Sequence, residues 1–158
     1  MTVSPTAWDE ARAAEIIAAH KDRAGATLPV LRALQDAFGY VPPETIPMVA
    51  DALNLSRADV HGVVSFYHDF RPAPPGRAVL KLCRAEACQA MGADKLADAV
   101  KQRLKIDWHG TSADGRVTLE PVFCLGLCAT GPAAMIGEKP VGRLTAARLN
   151  AAIDGATS

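Results

Sequence analysis

Four cysteines, the only ones in the 158-residue chain, fall in two close pairs, Cys83-x4-Cys88 and Cys124-x3-Cys128, with 35 residues between the pairs. Each pair follows an apolar run that reads as a strand, AVLKLC (Ala78 to Cys83) and VTLEPVFC (Val117 to Cys124). Two strand ends, each presenting two thiols, can converge on one point, and four thiolates at one point hold a metal centre. A [2Fe–2S] cluster fits this set best, because thiolates are soft ligands suited to iron–sulfur chemistry. The predicted ligands are Cys83, Cys88, Cys124 and Cys128.

Other uses of the thiols remain open at this level. Structural zinc prefers cysteines two to four residues apart, so an x4 spacing lies at its wide limit. Disulfides are rare in a cytosolic chain of this size. A dithiol redox site favours C-x-x-C, which is absent. Unconnected buried cysteines are common as small hydrophobes, but two pairs with no cysteine elsewhere argue against that. Gly92, Gly126 and Gly131 lie near the pairs, with small residues at Ala85, Ala87, Ala129 and Thr130. They leave room for backbone N–H groups to approach sulfur, which helps set a cluster's potential.

Two kinds of element must position the thiols. The first 70 or so residues read as helical. Residues 8–23 are rich in helix formers. Thr27 is the expected N-cap of LPVLRALQDAFG, with Gly39 as its stop and Leu28, Leu31, Leu34 and Phe38 as one buried stripe. Pro42-Pro43 breaks the chain before ETIPMVADALNL. Ser56 is the expected cap of RADVHGVVSFYHDF, with Asp59 as its capping-box partner. The segment Arg71–Gly76 holds three prolines and a glycine and cannot continue a helix. It places a helical domain at 1–71, a linker at 72–76 and a second domain at 77–158. Beyond it the pattern predicts a strand at Ala78–Cys83, a helix at Met91–Leu104 and a turn at Asp114-Gly115. A strand at Arg116–Glu120, a hairpin around Gly137-Glu138 and a helix at Thr145–Ile153 capped by Thr145 complete it. The order is β-α-β-β-β-α, an α/β domain with the cysteine loops at one end of its sheet, so the chain as a whole is expected to be α+β.

Composition excludes several function classes. Lys+Arg and Asp+Glu both number 17, so no net field attracts nucleic acid or an anionic membrane. The longest uncharged run, PVFCLGLCATGPAAMIG, contains three glycines and two prolines and makes a poor spanning helix. The chain therefore reads as soluble and cytoplasmic, with no membrane insertion and no nucleic-acid partner. There is no P-loop and no glycine-rich dinucleotide fingerprint. No acid, base or nucleophile stands out, so no catalytic residue is expected. His61 and His68, seven apart, would share a helix face, but no third ligand stands near them. His20 and His109 are isolated. Phe66, Tyr67 and Phe70 suit either packing or docking. Lys81 and Arg84 flank Cys83 and could raise the potential of a negatively charged cluster.

The pattern C-x4-C…C-x3-C with CLGLCATGP resembles the thioredoxin-like [2Fe–2S] ferredoxin family, which includes the 24-kDa-type subunit of respiratory complex I and small subunits of NAD-linked hydrogenases and formate dehydrogenases. The resemblance extends over LPVLRALQDAFGYVPPETIPMVADALNLSRADVHGVVSFYHDFR and spans roughly residues 26–153. Within the family, KLCRAEACQAMGADKL is most similar to the gamma subunit of soluble, NAD-dependent, molybdenum-containing formate dehydrogenases. Gly131 stands where relatives often carry alanine. The resemblance implies a thioredoxin-like fold with one [2Fe–2S] cluster on Cys83, Cys88, Cys124 and Cys128. It also implies a beta-type partner subunit carrying FMN, the NAD site and further iron–sulfur clusters, and an alpha-type partner carrying the molybdenum cofactor. The corresponding subunit of complex I or of a bidirectional hydrogenase is the alternative, and a zinc-stabilised adaptor a remote one.

Overall fold

The computed structural model describes residues 8–156, and for Ala156 the backbone only. The outer ends of the two expected domains, 1–7 and 157–158, lie outside the described residues. The chain divides into two compact units, and the division falls between Pro74 and Pro75.

The N-terminal unit holds four helices, α1 (Glu10–His20), α2 (Thr27–Phe38), α3 (Thr45–Leu53) and α4 (Arg57–Phe66). Asp9 caps α1 by accepting the Arg12 N–H at 3.1 Å. Ser56 and Asp59 form the expected capping box at the start of α4, each satisfying the other's backbone N–H. The core is aliphatic, with Ala13, Ile17, Val30, Leu31, Leu34, Phe38, Val49 and Val60 buried. Two details of α2 differ from expectation. Thr27 is the first helical residue and Ala26 occupies the cap with no side-chain bond. Leu28 is 39% exposed, while Val30 joins Leu31, Leu34 and Phe38 inside. Leu28 and Leu31 share one edge of the helix, but the inward face is centred a step further round, on Val30 and Leu34.

The C-terminal unit is built on a mixed four-stranded sheet, β1 (Ala78–Cys83), β2 (Val117–Val122), β3 (Ala134–Ile136) and β4 (Lys139–Val141), in the order β2-β1-β3-β4. β1 and β2 run parallel, with Ala78 opposite Val117 and Cys83 opposite Val122. β3 is antiparallel to β1 and pairs with β4 as a hairpin. Parallel neighbours need a long crossover. Here it contains α5 (Glu86–Ala90) and α6 (Ala93–Leu104). The single helix expected from Met91 therefore begins at Ala93, because Gly92 takes φ +93, a left-handed value that breaks the turn. The short α5 before it has no counterpart among the expected elements. The last helix, α7 (Ala146–Ala156), is capped by Thr145, whose hydroxyl oxygen accepts the Arg148 N–H at 3.2 Å. Leu80, Leu82, Ala97, Val100, Leu119, Ala134, Leu149 and Ile153 make the core of this unit. Among the described residues no helix is long and apolar enough to cross a membrane.

Asp114, in the turn before β2, accepts from the Ser112 hydroxyl and the Arg116 side chain, both at 2.6 Å, and from the Arg116 backbone N–H at 3.0 Å. These bonds, the Ser112 hydroxyl first, hold its carboxyl far below the ordinary carboxylate range. A depressed folded pKa gives stability that is present above the unfolded value and lost as pH falls toward the folded one. Asp114→Asn is therefore expected to lower the melting temperature at neutral pH. It should also flatten the further fall below about pH 4, measured as melting temperature against pH.

Candidate metal centre

Parallel pairing brings the two cysteine segments to one end of the sheet. Cys83 is the last residue of β1, and its register partner Val122 is the last of β2. Cys124 follows two residues later, Cys88 sits in α5, and Cys128 opens a one-turn 3₁₀ segment, Cys128–Thr130. In open sheets with parallel strands, ligands bind beyond the carboxyl ends of those strands. The four thiols occupy that place.

All four cysteines are free thiols. Cys124 Sγ and Cys128 Sγ lie 4.0 Å apart, and the Gly126 N–H points at Cys124 Sγ from 3.3 Å. Cys124 itself adopts φ +147, a sparsely populated value for a side-chain-bearing residue, as is common at functional sites. Burial first, and then a hydrogen bond with Cys83, push the Cys88 thiol above its ordinary pKa, and the charges of Cys83 and Cys128 act in the same direction. The Cys128 thiol is raised mainly by Cys124, with a smaller push from Cys83. Each pair thus stands together, and the pairs feel one another. Four thiolates repel unless cations compensate them, which is what metal ligation provides.

The two pairs differ in environment. Cys83 is 2% exposed and Cys88 1%, packed with Ala93 and Ala133 and bordered by Val122, Leu125 and Leu127. Cys124 and Cys128 are exposed. Among the described residues, no group of three or more His, Cys, Asp or Glu side chains stands close enough to hold a single metal ion. Two thiol pairs, one per iron, are what a binuclear cluster asks for, so the donor set fits a [2Fe–2S] centre. Of the expected glycine neighbours, Gly126 and Gly131 lie against the thiols. A methyl group at Gly131 would sit 3.5 Å from the Cys128 carbonyl and 3.6 Å from Cys88 Sγ, which is ordinary contact.

The other candidates are placed apart from this set or given other partners. Arg84 turns to Asp94 at 3.0 Å and lies 5.3 Å from the centre of the Trp108 ring, which also receives Lys101 at 4.5 Å. Its Nε is buried without a hydrogen-bond partner. Neither Asp94 nor Trp108 carries a motif that would single it out in the sequence. Lys81 stands opposite Glu120 in the sheet register. His109 Nδ1 meets Glu120 at 2.5 Å, and His20 Nδ1 meets the Ile16 carbonyl at 2.9 Å. His68 lies beyond the end of α4, so it does not share that helix with His61. Phe66 and Tyr67 are exposed and stack edge to face at 5.1 Å, whereas Phe70 packs on the helical core.

A sheet with helices, two cysteine loops at the carboxyl ends of its parallel strands and four free thiols defines an iron–sulfur protein of thioredoxin-like architecture. The sequence pattern of the thioredoxin-like [2Fe–2S] ferredoxins matches residues 13–157, and the chain belongs to that family. Its cofactor is a single [2Fe–2S] cluster. It is 41% identical over 121 residues to the HndA subunit of the NADP-reducing hydrogenase of Solidesulfovibrio fructosivorans, covering 77% of this chain and 71% of that one. It is 36% identical over 126 residues to an NADH-quinone oxidoreductase subunit of Escherichia coli K12, covering 80% and 76%. The crystal structure of an NAD+-reducing [NiFe]-hydrogenase in the H2-reduced state superposes with a TM-score of 0.66 at 28% identity. That match covers 80% of this chain but 22% of the longer hydrogenase chain.

The difference in burial makes the thiols distinguishable in the cluster-free protein. Brief alkylation with iodoacetamide, read by peptide mass spectrometry, is expected to label Cys124 and Cys128 well before Cys83 and Cys88. Equal labelling of all four would contradict the buried inner pair.

Proposed function

We propose that Cys83, Cys88, Cys124 and Cys128 hold the cluster and that this chain is the electron-transfer subunit of an NAD-linked oxidoreductase, exchanging single electrons with an FMN- and NAD-binding partner. The observation that carries the reading is the convergence of the two thiol pairs at the carboxyl ends of β1 and β2. When bound, the cluster supplies one-electron storage through a change in iron oxidation state. The chain's own residues do the rest. Cys83 and Cys88 would hold one side of the cluster in an apolar setting closed by Ala93, Ala133 and Val122, which keeps water from that side. Cys124 and Cys128 would hold the other side at the surface, where a partner's redox centre can approach. The Gly126 N–H, aimed at Cys124 Sγ, withdraws electron density from that sulfur and favours the reduced state.

The complex proposed is an NAD-dependent formate dehydrogenase with a molybdenum-containing alpha-type subunit, on the strength of the stretch KLCRAEACQAMGADKL. In this reading the protein is cytoplasmic, 1–71 is a helical domain, 72–76 a linker and 77–158 the cluster domain. A second reading rests on the named relatives, a hydrogenase subunit and an NADH-quinone oxidoreductase subunit, and assigns this chain to one of those assemblies. In every case the substrate chemistry belongs to partners, and this chain alone is expected to turn over neither formate nor NADH.

Anaerobic reconstitution with iron and sulfide is expected to give a red-brown protein with an EPR signal after dithionite. Each single Cys→Ala change at the four positions should abolish or sharply reduce bound iron. A colourless, EPR-silent product would overturn the ligand assignment. Purification of the native complex then separates the two readings. Molybdenum with formate-dependent NAD reduction supports the first, whereas nickel, hydrogen-dependent reduction or NADH-quinone activity supports the second.

A further inference from the structure

The segment that carries Cys128 has little structure of its own. It is a one-turn 3₁₀ piece whose local bonds run from the Thr130 N–H to the Leu127 carbonyl and from the Gly131 N–H to the Cys128 carbonyl. Those bonds shape the turn, while the Cys83 N–H, donating to the Ala133 carbonyl at 3.0 Å, ties its far end to β1. The chain returns beside it about a dozen residues later, at the corner between β4 and α7. There the Arg143 N–H donates to the Thr130 carbonyl at 2.5 Å, and the Leu144 N–H donates to the Pro132 carbonyl at 3.0 Å. The two bonds bracket Gly131, which lies against Cys88 Sγ and the Cys128 carbonyl.

Gly142 is where the two backbones come closest. A Cβ on it would lie 2.5 Å from Thr130 Oγ1, 2.9 Å from the Thr130 carbonyl oxygen and 3.0 Å from Thr130 Cβ. A turn of the Thr130 hydroxyl relieves the first contact but gives up its 3.2 Å bond to the Leu127 carbonyl. The other two involve backbone and Cβ, and they yield only if the Cys128 turn moves away. The corner itself cannot retreat. Leu144 is 5% exposed in the core with Leu149 and Ile153, Arg143 is held at φ +49 with its carbonyl accepting from Arg148 Nη1 at 3.1 Å, and Thr145 caps α7. Of the two, the cysteine turn, exposed at Cys128 and Ala129, is the side that gives.

We propose that the Gly142–Leu144 corner is the clamp that sets the position of Cys128, with Gly142 as a positioning residue for the cluster's exposed thiol pair. The inference rests on the reading that Cys128 is a cluster ligand. Gly142 touches no thiol and acts only through Thr130, so its effect should appear in the properties of the bound cluster more than in the fold.

The test uses the full chain, reconstituted anaerobically, as wild type, Gly142→Ala, the double variant Gly142→Ala/Thr130→Gly, and Gly155→Ala as a control whose added methyl meets nothing within 4 Å. Gly142→Ala is expected to keep the wild-type far-ultraviolet circular dichroism but to show altered g-values in the reduced EPR spectrum. Its loss of iron to a chelator should be about tenfold faster or more, the scale on which residues that support a ligand act. Thr130→Gly removes two of the three crowded atoms and is expected to restore part of the retention, and Gly155→Ala should match wild type. A Gly142→Ala protein with an unchanged spectrum and unchanged iron loss overturns the proposal. So does a Gly142→Ala protein that fails to fold and is not recovered by Thr130→Gly, since the glycine would then serve the sheet and not the ligand turn. A wild-type protein that gives no cluster signal refutes the ligand assignment instead.

Discussion

The parallel pairing of β1 with β2 is the constraint on which the site depends. Parallel neighbours finish at the same edge, so Cys83 and Val122 end side by side and the two cysteine segments begin from one place. An antiparallel pair would send them to opposite edges, too far apart to act on one group. Register matters as much as direction. A slip of one residue would turn Leu80 and Leu82 out of the core and Cys83 to the opposite face, and the burial of both leucines opposes that slip. The hydrophobic core of the sheet thus selects the geometry of the thiols.

Around that constraint the site is asymmetric by construction. The inner pair ends a central strand and enters α5, so it inherits the burial of the sheet's edge. The outer pair lies on a loop, where loops belong, and depends on borrowed contacts to hold its shape. The amide of Gly126 on Cys124 Sγ and the backbone bonds from Arg143 to Thr130 and from Leu144 to Pro132 are among those contacts. One pair is insulated from water and the other is accessible, which suits a centre that must be protected and yet hand electrons to another protein.

The N-terminal helices show how capping and core choice act locally. The Ser56–Asp59 box is legible from spacing alone because a capping box is a short-range chemical motif. At α2 the same logic points to Thr27 and is off by one residue, since the chain already runs helically through Ala26 and leaves the threonine nothing to cap. Periodicity places Leu28 in the core, yet it faces outward, because periodicity gives the width of an apolar stripe better than its centre. The helix expected from Met91 begins only after Gly92, whose left-handed conformation carries no unambiguous local signal.

The residue types, the pairing of the cysteines and the strand–helix alternation are properties of the sequence alone. So are the break at the prolines before Gly76 and the absence of nucleotide or catalytic motifs, since all of these are local in the chain. Tertiary structure decided what depends on distant segments meeting. It chose which thiols are buried, it gave Arg84 the partners Asp94 and Trp108, and it brought Gly142 against Thr130. A glycine in a strand-to-helix turn looks the same whatever it faces, and only the fold supplies the neighbour that makes its missing side chain necessary.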